Sequence, residues 1–317
     1  MKPKSLDFDF PLDQFEELII EIGWTSLFEW IKFWENNELS AFKAKYSSKY
    51  RDDWIWGLLF PLFSNSLNLL ESNNKRKIIG ISALPGTGKT SLGFLLKELS
   101  LNFKTNIEVI SIDDFYLPSE KMINAVKENP WKVSRGFPGT HSTELMIEKL
   151  IYWKETGTLN VPVFDKSLRN GLGDRSHWIN KYPDLVIIEG WFLGVLPNLN
   201  SLNINSDSCF SITSNESIYR YAIQENLYSY IDVWSLIDKV WHLKPKRFEY
   251  MNRWKIQQEQ EMLEKKGSAL VDNHLSNFLR MLTISIPHEC FDQINSDFLI
   301  VLKDDRKLDW VGLKNNY

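Results

Sequence analysis

Residues 83–90 read ALPGTGKT and lie between a short apolar run and a stretch of leucines at helical spacing. They are close to the pattern G-x-x-x-x-G-K-[ST], in which backbone N–H groups surround phosphate oxygens, the lysine reaches the β- and γ-phosphates, and the last hydroxyl binds Mg²⁺. An ordinary glycine-rich turn is the alternative. Alanine stands at the first glycine of the pattern, which is tolerable when its φ is negative. The sequence predicts a phosphate-binding loop formed by Ala83, Leu84, Pro85, Gly86, Thr87, Gly88, Lys89, Thr90 and Ser91.

Acidic residues follow two other apolar runs. Asp113 and Asp114 come after residues 107–112, and Glu189 comes after residues 185–188. Since ligands bind beyond the carboxyl ends of strands in open parallel sheets, we expect these side chains near the phosphate loop. There a carboxylate can hold Mg²⁺ or accept the proton of an attacking hydroxyl. The alternative is that each acid is a helix cap or a surface residue, and Asp114 is the more probable cap of the following helix.

Two turn-rich loops, at 135–141 and 161–175, carry the cations that a phosphoryl acceptor would need. Arginine suits bidentate contact with a carboxylate or a phosphate, although a single arginine is usually a surface cation. The crowding of such residues predicts an acceptor site formed by Arg135, Thr140, His141, Asp165, Lys166, Arg169 and Arg175. The remaining histidines show no metal-ligand spacing, so we expect no zinc site at His177, His242, His274 or His288.

These motifs need a scaffold, and the apolar runs indicate which one. Beyond residue 76, short apolar runs alternate with segments of helical spacing, which predicts an α/β fold with a parallel β-sheet flanked by helices. The strands are expected at 78–82, 107–112, 185–188, 239–243 and 298–302. A long polar segment at 248–266, which Gly267 can end, is expected to form a mostly solvated helix. An amphipathic helix should follow from Val271 to Leu282.

The first 75 residues read as helical. Phe15, Leu18, Ile19 and Ile22 recur at the spacing of one buried helix face, and polar residues at 71–75 are typical of a linker. We therefore expect an N-terminal helical extension at 1–75 and a second domain at 76–317.

Composition narrows the class of protein. The 317 residues include 37 Lys and Arg against 41 Asp and Glu, a net charge of −4, which argues against a nucleic-acid-binding surface. The hydrophobic share of 43% excludes intrinsic disorder. Cys209 and Cys290 are too few for a disulfide scaffold, and the longest apolar stretch, 54–63, is too short to span a bilayer. With acidic residues near its N-terminus in place of a signal peptide, the chain is expected to be cytoplasmic, away from membranes, and in an oligomeric state that the sequence leaves open.

The motifs in order are ALPGTGKT, SIDDFYL, RGFPGTH, VPVFDKS with GLGDRS, and VIIEGWFLG. This order resembles that of the P-loop small-molecule kinases, which include uridine kinase, phosphoribulokinase and pantothenate kinase. The alanine of the phosphate loop, DDFY, the DKS and GLGDR pair, and EGWFLG are most similar to plant and cyanobacterial D-glycerate 3-kinases. The resemblance covers residues 77–310. It implies the P-loop NTPase fold with a helical lid, ATP and Mg²⁺ as cofactors, and a small hydroxy acid as substrate.

The resemblance also implies roles for individual residues. Asp113 matches the general base near Mg²⁺, Glu189 the metal-associated acid, and Arg253 a lid arginine that closes over the phosphates. Lys89 would act in catalysis, Thr90 would bind the metal together with both acids, and residues 303–306 resemble an adenine-side loop.

The expected reaction is ATP-dependent phosphorylation of D-glycerate at its 3-hydroxyl, as in photorespiration. The alternatives are a uridine-kinase-like or pantothenate-kinase-like acceptor, or an inactive ATP-binding regulatory module. The last would be expected to lose Lys89, Asp113 or Glu189, which are all present.

Overall fold

The computed structural model describes residues 8–37, 42, 45–46, 49–71, 75–200, 211–266, 270 and 272–317. The predicted helix end at Gly267, the helix start at Val271, the middle of the 71–75 linker and Cys209 lie outside these residues. Every strand and every site residue predicted from the sequence lies within them.

A six-stranded sheet in the order β2-β5-β1-β6-β7-β8 forms the centre of the protein. Its first five strands in that order run parallel, and β8 is antiparallel to β7 at the edge. A separate antiparallel hairpin joins β3 and β4. The strands are β1 Lys77–Ala83, β2 Ile107–Ser111, β3 Leu159–Asp165, β4 Asp174–Lys181, β5 Leu185–Gly190, β6 Lys239–Pro245, β7 Phe298–Leu302 and β8 Leu308–Leu313. The predicted α/β fold with a parallel sheet is thereby confirmed.

Helices cover both faces of this sheet. They are α1 Leu12–Glu21, α2 Leu27–Asn36, α3 Asp52–Trp54, α4 Phe60–Glu71, α5 Lys89–Asn102, α6 Ser119–Val126, α7 Thr143–Thr156, α8 Ser214–Leu227, α9 Ile231–Ser235, α10 Tyr250–Lys266, α11 Asp272–Ile284 and α12 His288–Asp292. A π-helical turn, Ile55–Leu59, continues α3 into α4. Short 3₁₀ turns form at Ile112–Phe115, Tyr228–Tyr230 and Lys314–Asn316. Among the described residues, no helix is both long enough and apolar enough to cross a membrane.

The sequence-based prediction of a loop at 161–175 was wrong at both of its ends, which belong to the strands β3 and β4. They form the β3–β4 hairpin, and only residues between the two strands remain irregular. The strand β4 reads DRSHWINK and is mostly exposed, so it lacks the apolar alternation of a half-buried strand. Its pairing with β3, rather than its own side chains, makes it a strand.

The N-terminal helices pack on the same face of the sheet as α5. One hydrophobic core contains Phe15, Trp30, Trp34 and Phe60 together with sheet residues such as Ile81. The Trp34 and Phe60 rings stack with centroids 3.9 Å apart. The indole nitrogens of Trp30 and Trp34 both donate to the Ser64 hydroxyl, at 2.9 and 3.1 Å. The division at residues 75 and 76 stays a prediction, because the two parts share this core.

On the other face of the sheet, the buried carboxylate of Glu216 connects several elements. Glu216 caps the start of α8 through Thr213 and accepts from the Trp131 indole nitrogen at 3.0 Å and from Arg280 Nε at 2.7 Å. Burial raises the pKa of this carboxyl, but hydrogen bonds from Arg280 and Thr213 outweigh burial and lower it to about 2. The Glu216 carboxylate therefore stabilises the fold above its unfolded-state pKa of about 4.3, and this contribution is lost as the pH falls through about 2.

Arg280→Met should lower the free energy of unfolding at pH 7 by about 3 kcal/mol, because it leaves the buried Glu216 charge unpaired. The loss should shrink below pH 4, because the Glu216 carboxyl of the variant no longer has Arg280 to lower its pKa and takes up a proton there. Lys265→Met is the control, since its pair with Glu261 is exposed on both sides and is worth under about 0.5 kcal/mol. Urea unfolding at both pH values measures the effect. Equal losses in the two variants would contradict the anchoring role.

Candidate active site

The phosphate loop connects the central strand β1 to α5. Gly88 is the N-cap of α5 and has a φ of +111°, and Gly86 has a φ of +76°. Glycine adopts these left-handed conformations without steric cost, which explains its presence at both positions. A Cβ on Gly86 would also lie 2.6 Å from the carbonyl carbon of Trp254 and 2.8 Å from Lys255 N, so the loop packs closely against α10.

The loop lines a cavity of about 720 Å³. Seven of the nine residues predicted to bind the cofactor line it: Pro85, Gly86, Thr87, Gly88, Lys89, Thr90 and Ser91. Ala83 and Leu84 are buried in the core, and their carbonyl oxygens accept hydrogen bonds from Lys89 Nζ at 2.6 and 3.2 Å. The size of the cavity is typical of ligand pockets.

Lys89 is partly buried and places a positive charge in the wall of this cavity. Burial lowers the pKa of its ammonium group, and the nearby carboxylates of Glu189 and Asp113 oppose that shift. The three residues meet because β2, β5 and β1 are neighbours and end at the same edge of the sheet. Glu189 lies in register with Ile81 of β1 and Ser111 of β2.

Asp113 lies on the 3₁₀ turn after β2 and pairs with a lysine of the β3–β4 hairpin. Lys166 Nζ is 2.8 Å from one carboxylate oxygen, and His141 Nε2 is 3.8 Å from the other. Burial raises the pKa of Asp113, but Lys166 and His141 outweigh burial and hold the pKa well below its usual range. Asp113 is therefore an anion near neutral pH.

Asp114 and Asp113 have different local roles, although both line the cavity. The Asp114 carboxylate accepts from Ser111 N at 3.0 Å, and Ser111 Oγ accepts from Asp113 N at 3.2 Å. These bonds form a capping box around the 3₁₀ turn. Ser111 is thus the N-cap of this turn and Asp114 its capping-box partner, so Asp114 does not cap the following helix but fixes the turn that presents Asp113.

The donor set suits Mg²⁺. Among the described residues no group of three His, Cys, Asp or Glu side chains could enclose a metal ion. Mg²⁺ does not need one, since it is usually held by one or two carboxylates together with substrate phosphates and water. Asp113, Glu189 and Thr90 all line the cavity beside the phosphate loop and fit this pattern. Burial raises the pKa of Glu189, and Lys89 opposes that shift.

Of the residues predicted for the acceptor site, only Lys166 lines the cavity. Arg135 donates to the carbonyls of Gly171 and Leu172 at 2.9 and 2.8 Å, and Arg175 donates to the Tyr116 carbonyl at 3.0 Å. Both guanidinium groups therefore connect the hairpin to neighbouring loops. Their contact with a substrate stays a prediction.

The other predicted acceptor residues also have structural partners. Thr140 is buried and donates to the Phe137 carbonyl at 2.6 Å, while Asp165 accepts from Ser167 N at 2.8 Å. Arg169 pairs with Asp174 at the hairpin tip, 3.0 Å away. His141 is buried behind Asp113 with its Nδ1 2.8 Å from the Tyr230 hydroxyl, and burial lowers its pKa against the effect of Asp113.

The sequence indicated Arg253 as the cation of α10 that acts at the cavity, but the structure places Lys255 there. Arg253 lies outside the lining and donates to the Asp304 carbonyl at 2.7 Å, so its closing role stays a prediction. Lys255 lines the cavity and pairs with the buried Glu259. Two residues along a helix differ by about 200° in direction, and the polar pattern of α10 gave no indication of which face is inward.

Arg306, in the predicted adenine-side loop, contacts the phosphate loop directly. Its Nε donates to the Gly86 carbonyl at 2.9 Å, and its guanidinium carbon lies 5.5 Å from the centre of the Trp254 ring. The loop at 303–306 therefore borders the cavity. The sequence did not identify the further lining residues Lys49, Tyr50, Arg51 and Trp54, which belong to the N-terminal part of the chain.

Comparison with known proteins supports the resemblance. No protein-family model matches the chain. It is 30% identical over 215 residues to the chloroplastic D-glycerate 3-kinase of Arabidopsis thaliana, which covers 64% of this chain and 45% of that protein. It is 27% identical over 213 residues to an uncharacterized kinase of Schizosaccharomyces pombe, covering 64% of this chain and 76% of the other. The chain thus spans less than half the length of the plant relative.

The fold comparison agrees. The structure of D-glycerate 3-kinase from Cryptococcus neoformans superposes with a TM-score of 0.69 at 22% identity, over 81% of this chain and 99% of the other. The predicted P-loop NTPase fold is therefore confirmed, as is the resemblance to D-glycerate 3-kinases.

Gly86→Ala should abolish nucleotide binding, because the added Cβ would overlap the backbone of α10 and the residue would retain a strained positive φ. Gly171→Ala is a matched control with a φ of +87° and no atom within 4 Å of the added Cβ. It should cost only the strain of about 1 kcal/mol and leave ATP affinity unchanged. Calorimetry with Mg·ATP and thermal melting measure both effects. Retained affinity in Gly86→Ala would contradict the described packing.

Proposed function

We propose that the protein transfers the γ-phosphoryl group of ATP to the 3-hydroxyl of D-glycerate, giving 3-phospho-D-glycerate. The observation that carries this proposal is the Asp113–Lys166 pair, 2.8 Å apart in the same cavity as Lys89. It offers a carboxylate for the acceptor hydroxyl and a cation for the acceptor's own carboxylate. The plant relative named D-glycerate 3-kinase supports the choice of acceptor.

Phosphoryl transfer requires mainly positioning and charge stabilisation. The N–H groups of the phosphate loop and the Lys89 ammonium would hold the ATP phosphates. Thr90, Asp113 and Glu189 would hold Mg²⁺, which when bound neutralises the charge that the phosphate oxygens develop. Asp113 would accept the proton of the attacking hydroxyl.

The position of Asp113 is fixed from several sides. The Asp114 and Ser111 bonds hold its backbone, and Lys166 and His141 face its two carboxylate oxygens. His141 is itself oriented by Tyr230. Because the pKa of Asp113 is held low, its carboxylate accepts a hydrogen bond from the acceptor without first losing a proton.

A small hydroxy acid matches the charge of the acceptor side. Its carboxylate would approach Lys166, whereas a neutral acceptor would leave that cation with Asp113 alone. The Lys166 ammonium would make a charge-assisted hydrogen bond with a carboxylate, which is stronger than any bond that it could make to a neutral acceptor. The charge argument applies equally to pantothenate, which also carries a carboxylate, so the choice of D-glycerate rests on the plant relative.

Uridine is the second candidate, and one observation favours it. Tyr116, Phe164 and Trp191 line the cavity, and a nucleoside acceptor could stack on such rings. All three already have aromatic partners, since Tyr116 stacks on His141 and meets Phe164 edge to face, and Trp191 meets Phe192 edge to face. An inactive module is less favoured, because Lys89, Asp113 and Glu189 all face the same cavity.

The function is tested by ATP consumption with D-glycerate, L-glycerate, uridine and pantothenate side by side, with the product position read by ³¹P NMR. D-glycerate should turn over fastest and give only the 3-phosphate. Faster turnover of uridine or pantothenate would contradict the proposal that D-glycerate is the acceptor. A 2-phosphate product would contradict the proposed geometry. ATP binding without transfer to any acceptor would support the inactive module.

Asp113→Asn is the control in this assay. It keeps the shape of the side chain but cannot take a proton, so kcat should fall by about 10²–10⁴ while ATP affinity changes much less than kcat. Retained turnover would mean that another residue accepts the proton of the hydroxyl.

A further inference from the structure

Four residues from the N-terminal part of the chain line the cavity that the phosphate loop forms. They are Lys49, Tyr50, Arg51 and Trp54, and they lie in and just before α3. No motif includes them, and the proposed transfer of a phosphoryl group to D-glycerate does not use them. Because they line this cavity, they lie within reach of a nucleotide that the phosphate loop binds.

The segment is attached on one side to the helix of the phosphate loop. Lys45 Nζ lies 2.6 Å from a carboxylate oxygen of Glu98 on α5, and the Tyr46 hydroxyl donates to the same oxygen. Lys45 and Tyr46, which precede the segment, therefore contact α5 near its C-terminal end, whereas the phosphate loop lies at its N-terminal end.

On its other side the segment is attached to the loop before β8. Asp53 accepts from Leu308 N at 3.0 Å, and the Trp54 indole nitrogen donates to the Arg306 carbonyl at 2.6 Å. Arg306 in turn donates to the Gly86 carbonyl. The Trp54 indole is therefore held between two elements that both border the phosphate loop.

Trp54 packs directly on that loop. A Cβ on Gly88 would lie 3.3 Å from Cη2 of the Trp54 ring, so the indole touches the backbone where α5 begins. The ring is only partly buried, unlike Trp56 two residues later. It thus offers aromatic surface to the cavity.

The two ends of the cavity differ in chemistry. Asp113 and Lys166 mark the end where the acceptor would bind, so the nucleoside of a triphosphate held by the loop must extend elsewhere. Trp54, Tyr50, Asp305 and Arg306 line another part of the cavity around the loop, together with residues of α10 such as Lys255. Aromatic rings there suit a purine, because every base has a π-face on which a ring can stack.

We propose that residues 49–54 form the base-binding wall of the nucleotide pocket, with the Trp54 indole as the stacking surface for the purine. This inference rests on the proposed function, since it requires that the phosphate loop bind a nucleoside triphosphate. It makes the N-terminal part of the chain a component of the nucleotide site.

The test compares Mg·ATP with inorganic tripolyphosphate, which carries the phosphates but no base. Isothermal titration calorimetry should show that Trp54→Ala weakens ATP binding on the order of tenfold and leaves tripolyphosphate affinity unchanged. Trp54→Phe should keep most of the ATP affinity, because it keeps an aromatic ring. Phe28→Ala is the control, since Phe28 is an exposed aromatic residue of α2 outside the cavity.

Three results would overturn the inference. If Trp54→Ala weakens the binding of ATP and of tripolyphosphate equally, Trp54 only supports the phosphate loop. If Trp54→Phe and Trp54→Ala lose the same ATP affinity, the effect comes from the hydrogen bond to the Arg306 carbonyl and not from the ring. Unchanged ATP affinity in Trp54→Ala would exclude contact with the base. If Trp54→Ala does not fold by thermal melting, Trp54→Leu replaces it as a variant that fills space without a ring. Failure of the unaltered protein to bind either ligand would refute the proposed function instead.

Discussion

The site depends on a positive charge that is partly withdrawn from water. Lys89 lines the cavity, burial lowers its pKa, and the Glu189 and Asp113 carboxylates oppose that shift. A charge that is taken out of water is costly unless opposite charges and hydrogen bonds compensate it. The strand order β2-β5-β1 meets this requirement by bringing the three side chains to one edge of the sheet. This arrangement of charges places the positive phosphate loop beside the Asp113 and Glu189 carboxylates. Both carboxylates could bind a metal ion together with the phosphates of a nucleotide.

The elements around this cluster hold it in place from three directions. The β3–β4 hairpin brings Lys166 to Asp113, and Arg135 and Arg175 attach the hairpin to neighbouring loops. On another side, α10 packs against Gly86. The N-terminal helices fill the core beneath α5 and place Trp54 on the loop. The aromatic content of residues 10–63 is therefore consistent with a part of the chain that is integral to the site.

The sequence predicted those features whose signals are local. The phosphate loop follows from its glycines, lysine and hydroxyl between a strand and a helix, and Asp113 and Glu189 follow from their places after buried apolar runs. The β4 strand could not be predicted, because its exposed polar side chains carry no alternation. Long-range contacts could not be predicted either. Nothing in the sequence pattern indicated that Arg135 binds backbone carbonyls, or that Lys255 rather than Arg253 lines the cavity.

The central claim is that Lys89 holds the phosphates of a nucleotide whose γ-phosphoryl group is transferred. The most direct test is the rate of phosphoryl transfer from ATP by Lys89→Ala, measured together with its melting curve. The account predicts a severe loss of transfer in a variant that still folds, because the lysine contributes charge to the ligand and only two backbone hydrogen bonds to the loop. Normal transfer with an unchanged melting curve would contradict it.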